Sequence, residues 1–333
     1  LTWAEMSAGV TSDSDGNTAG GTNAGDSITS GVSNTSFGKD AGTALTSGGN
    51  HTFIGFEAGK ASTTGMGNTA VGMQALLSNT TGEYNVAIGR SALHNSTTPS
   101  GNTAVGYLAS YLNTIGHSNT AVGRWALKDN TTGNENTAVG YDAGGDITSA
   151  HYNTAVGSEA LKSATTATQN TAVGRKAAQG LTTGGNGQNT ALGMSALFTT
   201  QTGEYNVAVG NNALALGSVP RFNVALGVKA GYVTGGIKSV YVGYKAGEDV
   251  TGNFNTFVGS ECLLDATSGT HNTALGYAIG YGVALTGSNN TILGHGAGPS
   301  SASVSNEVTI GNTSVTKFRV PGVSLEAEDG ILS

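Results

Sequence analysis

The residues able to do chemistry in this chain are few, and their spacing limits what they can do. Glu57, Asp142, Glu159 and Asp265 are the candidates for the paired carboxylates of a glycoside hydrolase. They read as isolated acids on outer corners of the chain, where a solvated charge aiding solubility is the simpler role, and no catalytic residue is assigned. The six histidines, His51, His94, His117, His151, His271 and His295, show no metal-ligand spacing, so no metal site is assigned. Gly-x-Gly runs such as Gly294-His295-Gly296 are expected by chance among 54 glycines. They lack the strand before and the helix after that nucleotide binding needs, and no cofactor is assigned. The lone Cys262 cannot form an intrachain disulfide and reads as an inert buried side chain. The aromatics say more. Tyr107, Trp125, Tyr141, Tyr244 and Tyr277 have faces that stack on sugar rings, on cations or on one another. They are candidate glycan contacts, and the plainer reading is packing between neighbouring segments of the chain.

The 333 residues include only 14 Lys+Arg and 21 Asp+Glu, which makes 11% charged against roughly 25% in an average domain. A net charge of −7 speaks against a nucleic-acid partner. Glycine, at 54 residues, has no triplet period, which excludes collagen. Regularly spaced apolar residues exclude a disordered chain. No apolar run approaches the roughly 20 residues that span a bilayer, so no membrane insertion is expected. Leu1 in place of an initiator methionine suggests a fragment or a processed product.

What positions these side chains is a repeat. Asn68-Thr69-Ala70-Val71-Gly72 returns from Asn102, Asn119, Asn136, Asn153 and Asn170, and variants bring the units to 18. Of the 17 intervals between unit starts, 13 are 17 residues long. Numbering slots from the Asn, slot 1 is Asn in 15 of 18 units, slot 5 is Gly in all 18 and slot 8 is Ala in 15. Slot 2 is mostly Thr or Val, slot 3 mostly Ala, and slot 4 Val, Ile, Leu or Phe. Such a unit is too short for a helical hairpin. Slots 1 to 4 read as a short strand, slots 7 to 10 as a possible second one, and the Gly at slot 5 as a corner. The fold class is therefore all-β: a parallel β-solenoid, or β-roll, of about 18 coils. At about 4.8 Å per coil it is a rod of roughly 85 Å. Residues 1–16 are an N-terminal cap or junction, 17–311 the solenoid, and 312–333 a C-terminal exit strand and tail.

A strand with one wet face alternates apolar and polar residues. Here slots 3 and 4 are both apolar, so both faces read as buried. Ala fits the coil's thin interior, and the other face needs a cover. Further copies of the chain are the simplest cover, which points to a parallel homotrimer. A flattened monomer with a dry two-layer core is the alternative. Lys39, Arg90, Arg124 and Arg175 at slot 6 mark the outer corner, where Phe56, Tyr107, Tyr141, Tyr244 and Tyr277 also fall. A second aromatic set, Tyr84, Tyr152, Tyr205, Phe222 and Phe254, closes the units.

The Asn-Thr-Ala-Val-Gly-x-x-Ala-Leu units resemble repeats of bacteriophage tail fibres and tailspikes. More loosely they resemble head repeats of bacterial trimeric autotransporter adhesins, whose unit is shorter. The resemblance covers residues 17–311. It implies a structural, adhesive, non-enzymatic fibre located on the virion, or extracellular at a cell surface. Its partners would be two further copies, other virion tail proteins and a host cell-surface glycan or protein receptor. A bacterial surface adhesin head and a polysaccharide-degrading tailspike are the alternatives. Ice binding by Thr ladders is a further one, weakened by reading the slot-2 Thr as buried. Asn-x-Thr triplets such as Asn79-Thr80-Thr81 would be glycan acceptors only in a eukaryotic secretory route. In this setting they are turns. Asn306-Glu307-Val308-Thr309-Ile310-Gly311-Asn312-Thr313 resembles the run before an endosialidase-type intramolecular chaperone. That family cleaves between Ser and Asp, so the resemblance implies that Ser333 is a processed C-terminus.

Overall fold

The structure is a computed structural model that describes residues 10–182, 187–217, 220–233 and 235–317. The expectations for Ser333 and for residues 1–9 lie outside the described residues. Strand β1 (Val10–Ser12) lies antiparallel against β2 (Thr18–Gly20). From β2 to β19 (Val308–Ile310) the strands pair in parallel, each with the next in sequence, in one 19-stranded sheet. No helix occurs among the described residues. The chain is a single parallel β-solenoid of about 17 turns with a 17-residue repeat, as the spacing of the Asn units requires.

Each parallel strand is three residues long, slots 2 to 4, and slot pairs with like slot: Thr103 with Thr120, Ala104 with Ala121, Val105 with Val122. The period of two sends slot 3 inward. Ala70, Ala87 and Ala104 are fully buried there, with Ala75 at slot 8 and Leu76 at slot 9 completing the core. Slots 2 and 4 point outward together. On a single chain this outward face has no cover. Ile54 is 41% exposed, Val139 36% and Leu275 53%, while the slot-2 Thr are half-buried or exposed.

The corner after the strand is made by glycine for two reasons. Gly123 has a φ of +134°, which L side chains rarely adopt. A Cβ there would also lie 2.4 Å from the carbonyl oxygen of Gly140 in the next coil. Beyond the corner the expected second strand does not form. Slots 7 and 9 are left-handed, as at Gln74 (φ +57°) and Leu76 (φ +53°), and alternation of this kind breaks the pleat. These residues bond in opposite directions instead: Gln74 N donates to Phe56 O of the preceding coil, and Leu76 N to Ala92 O of the following one. Residues 312–317 carry no strand, and the rest of the expected exit strand and tail lies outside the described residues.

Core volume is exchanged between slots. Slot 9 holds a buried Leu at Leu93, Leu127 and Leu161, opposite a small or polar slot 12 at Ser96, Asn130 and Ala164. Where slot 9 is Gly, an apolar slot 12 can fill the space: Gly42 with Leu45, Gly144 with Ile147, Gly247 with Val250. A Cβ on Gly144 would meet Ile147 Cδ1 at 2.9 Å. Large slot-3 residues demand the same relief. A Cβ on Gly59 would lie 2.6 Å from the Phe53 ring, and one on Gly247 2.5 Å from the Tyr241 ring.

Candidate functional site

Two side-chain ladders fix the register of the coil stack, one along its length and one from Thr29 to Thr182. The slot-1 Asn side chains are buried and bond in both directions. Asn136 Nδ2 donates to Ala150 O at 2.8 Å, closing its own coil. Asn136 Oδ1 accepts from Asn153 N at 3.0 Å, joining the next coil. His51 performs the same task in place of Asn: its Nδ1 accepts from Asn68 N at 3.1 Å and its Nε2 contacts Gly65 O at 2.8 Å. Burial lowers its pKa from the ordinary 6.5. The second ladder is threonine at slot 13, where the Oγ1 of Thr97, Thr114, Thr131 and Thr148 each donates to the carbonyl one coil on. The recurring slot-1 Asn marks the first ladder in the sequence, and the second was missed. Its signal was a Thr every 17 residues from Thr29 to Thr182.

The candidate carboxylates are engaged with partners. Glu57 binds Lys60 at 2.6 Å and Gln74 at 2.9 Å. Asp265 accepts from Gly282 N at 2.9 Å. Asp142 and Glu159 are not isolated, as expected from the sequence, but occupy slot 7 of adjacent coils. Lysines take both: Lys162 reaches Asp142 at 2.8 Å and Lys176 reaches Glu159 at 3.6 Å. Lys162 has its pKa raised chiefly by its hydrogen bond to Asp142. Cys262 is buried, and desolvation pushes its thiol up to about 12, which leaves it protonated and unreactive. Among the described residues no three His, Cys, Asp or Glu are grouped to hold a metal ion.

The aromatic candidates stand at slots 6 and 7, just past the glycine corner, and fall into three places along the rod. Tyr107, Trp125 and Tyr141 occupy three successive coils. The two tyrosines are exposed and Trp125 is half-buried. Trp125 and Tyr141 have ring centroids 5.6 Å apart. The Arg124 guanidinium lies 4.0 Å over Trp125 and 5.9 Å from both Tyr107 and Tyr141. Tyr244 is exposed beside Lys245, 5.7 Å from its ring. Tyr277 stacks on His295 at 5.5 Å and lines an open groove of about 490 Å³ with Glu261 and Tyr281. The closing aromatics pack along the rod as the plainer reading holds. Tyr205 stacks on Phe222 at 4.9 Å, Phe254 on His271 at 4.7 Å, and Lys238 lies 5.9 Å from Phe222 and 5.8 Å from Phe254.

Fold and side-chain ladders together define the class: a parallel β-solenoid repeat protein with an alanine-leucine core, an asparagine ladder and a corner lined by aromatic and basic side chains. Compared with protein-family models, curated proteins and solved structures, the chain matches none.

Proposed function

We propose that this chain is the shaft or head of a homotrimeric adhesive fibre, a bacteriophage tail fibre that attaches the virion to a host cell-surface glycan or protein receptor. The reading takes its virion setting, its companion tail proteins and its non-enzymatic character from the resemblance of the Asn-Thr-Ala-Val-Gly units. The observation that carries it is the outward face of the sheet. Slot 4 offers Val, Ile or Leu in nearly every coil, and Ile88, Val173, Leu192 and Leu226 stay exposed on the single chain. A continuous apolar strip of this length on a soluble surface marks an interaction site. Strands in uniform register present an identical face in every coil, which suits two further copies stacked in parallel about a common axis. The corner with Tyr107, Trp125, Tyr141, Tyr244 and Tyr277 then faces away from that axis, available to a receptor.

Binding of the purified chain to host cells, and inhibition of phage adsorption by it, test the attachment reading. Absence of both overturns it. Release of reducing sugar from host polysaccharide would instead favour the degrading tailspike. The outward Thr of slot 2, paired with Val at slot 4, supports a second reading in which the sheet face orders ice. Thermal hysteresis in a solution of the monomeric chain would establish it.

A further inference from the structure

We infer that the corner ladder Arg90, Tyr107, Arg124 and Tyr141, with Trp125 against Arg124, binds an acidic polysaccharide that carries a carboxylate on alternate sugars. The inference rests on the glycan-receptor reading above and gives it a chemical class. The four residues occupy slot 6 of four successive coils, so cation and ring alternate along the rod. Arg90 Cζ lies 5.8 Å from the Tyr107 ring, and Arg124 Cζ 4.0 Å from Trp125. A guanidinium held over a ring by cation–π attraction spends none of its N–H donors on that contact. Among the described residues these donors have no protein acceptor on either arginine, and both side chains are exposed. Six lysines of the same edge differ: Lys60, Lys128, Lys162, Lys176, Lys229 and Lys245 each reach a carboxylate within 4 Å, while Lys39 at slot 6 forms no such pair among the described residues. On a chain of net charge −7, two neighbouring unpaired guanidinia form a local positive site.

Geometry selects the ligand further. Arg90 and Arg124 are two coils apart, about 9.6 Å along the rod. That spacing is close to the rise of one disaccharide in an extended chain, so carboxylates on alternate sugars meet successive arginines. The ring faces are partly occupied by the guanidinia, which leaves the N–H donors as the main free groups and favours an acidic over a neutral sugar. Bidentate guanidinium–carboxylate pairing supplies the recognition. Arg175, three coils beyond Arg124, breaks the two-coil period and has no ring within cation–π distance among the described residues, which makes it the internal control.

The test is calorimetric titration of the full chain with hyaluronan oligosaccharides, an alternating uronate polymer, with neutral dextran and polyglutamate as comparisons. We expect hyaluronan to bind, Arg124→Gln and Arg90→Gln each to weaken it at least tenfold, and Arg175→Gln to leave it unchanged. Arg124→Lys, which keeps the charge and loses the planar fork, is expected to weaken it as well. Circular dichroism confirms that each variant is folded. Equal binding of polyglutamate would show unspecific charge attraction and overturn the inference, as would an unaltered Arg124→Gln. Capture of dextran that is lost on Trp125→Ala but kept on Arg124→Gln overturns the acidic class while leaving the glycan-receptor reading standing. Host-cell binding without any hyaluronan binding does the same.

Discussion

Asn136 shows what one side chain does in a coil this small. Its amide closes its own turn and its carbonyl oxygen receives the next one. Replacing it by Ala leaves buried backbone groups without partners, which costs about 1–3 kcal/mol. Chemical denaturation of Asn136→Ala should show that loss, and an unchanged midpoint across several such variants would reduce slot 1 to a turn preference. His51 makes the same ladder sensitive to acid. Burial holds its folded pKa below the ordinary 6.5 of the unfolded chain, so the unfolded state binds the extra proton first. Stability from this residue is complete above about pH 6.5, falls as pH drops from there towards the folded pKa, and then levels off. Melting temperature measured from pH 7.5 to 4.5 should decline for the native chain, and His51→Asn should flatten that part of the decline. A variant with an unaltered slope would contradict this role for His51.

Among elements, the glycine corner and the slot-9 to slot-12 exchange decide whether coils stack. Gly123→Ala combines a disfavoured φ with a Cβ 2.4 Å from a backbone oxygen that cannot swing aside. We expect it to cost at least about 2–3 kcal/mol, far more than Ala at the exposed Thr81. Equal melting temperatures for the two variants would contradict the close stacking of the corners. The strands, the corner and the asparagine ladder were legible in the sequence because each needs a residue type at a fixed place: Asn to bond both ways, Gly at the corner, Ala in a thin interior. The turns at slots 7 to 10 were not legible, since Gln74 and Leu76 are not residues that announce a left-handed backbone. That conformation is imposed by hydrogen bonds to the coils on either side, which a single repeat does not reveal. Likewise the neighbouring slots of Asp142 and Glu159 follow from the register, while their lysine partners depend on how long side chains lie along the corner. The Arg124–Trp125 stack was hidden for the same reason, although both residues had been placed on the correct edge.

For the whole molecule, what covers the outward sheet face decides the assembly. The single chain satisfies its interior with Ala and Leu but leaves a file of Val, Ile and Leu exposed along the rod. Covering that face with two other copies joins each coil to its equivalents, and parallel registry then becomes a condition of assembly. Such pairing is slow and prone to aggregation when it depends on distant contacts. A charge in the middle of the face should prevent it, because an unpaired buried charge costs several kcal/mol. Val139→Asp is therefore expected to leave the coil folded and the chain single, whereas Thr81→Asp, at an exposed position outside the strands, should assemble normally. The most direct measurement is the native mass of the unaltered chain, by light scattering or native mass spectrometry. A trimer requires about three times the 33.0 kDa of one chain, falling to one chain in Val139→Asp; a native mass of 33.0 kDa for the unaltered chain would contradict it.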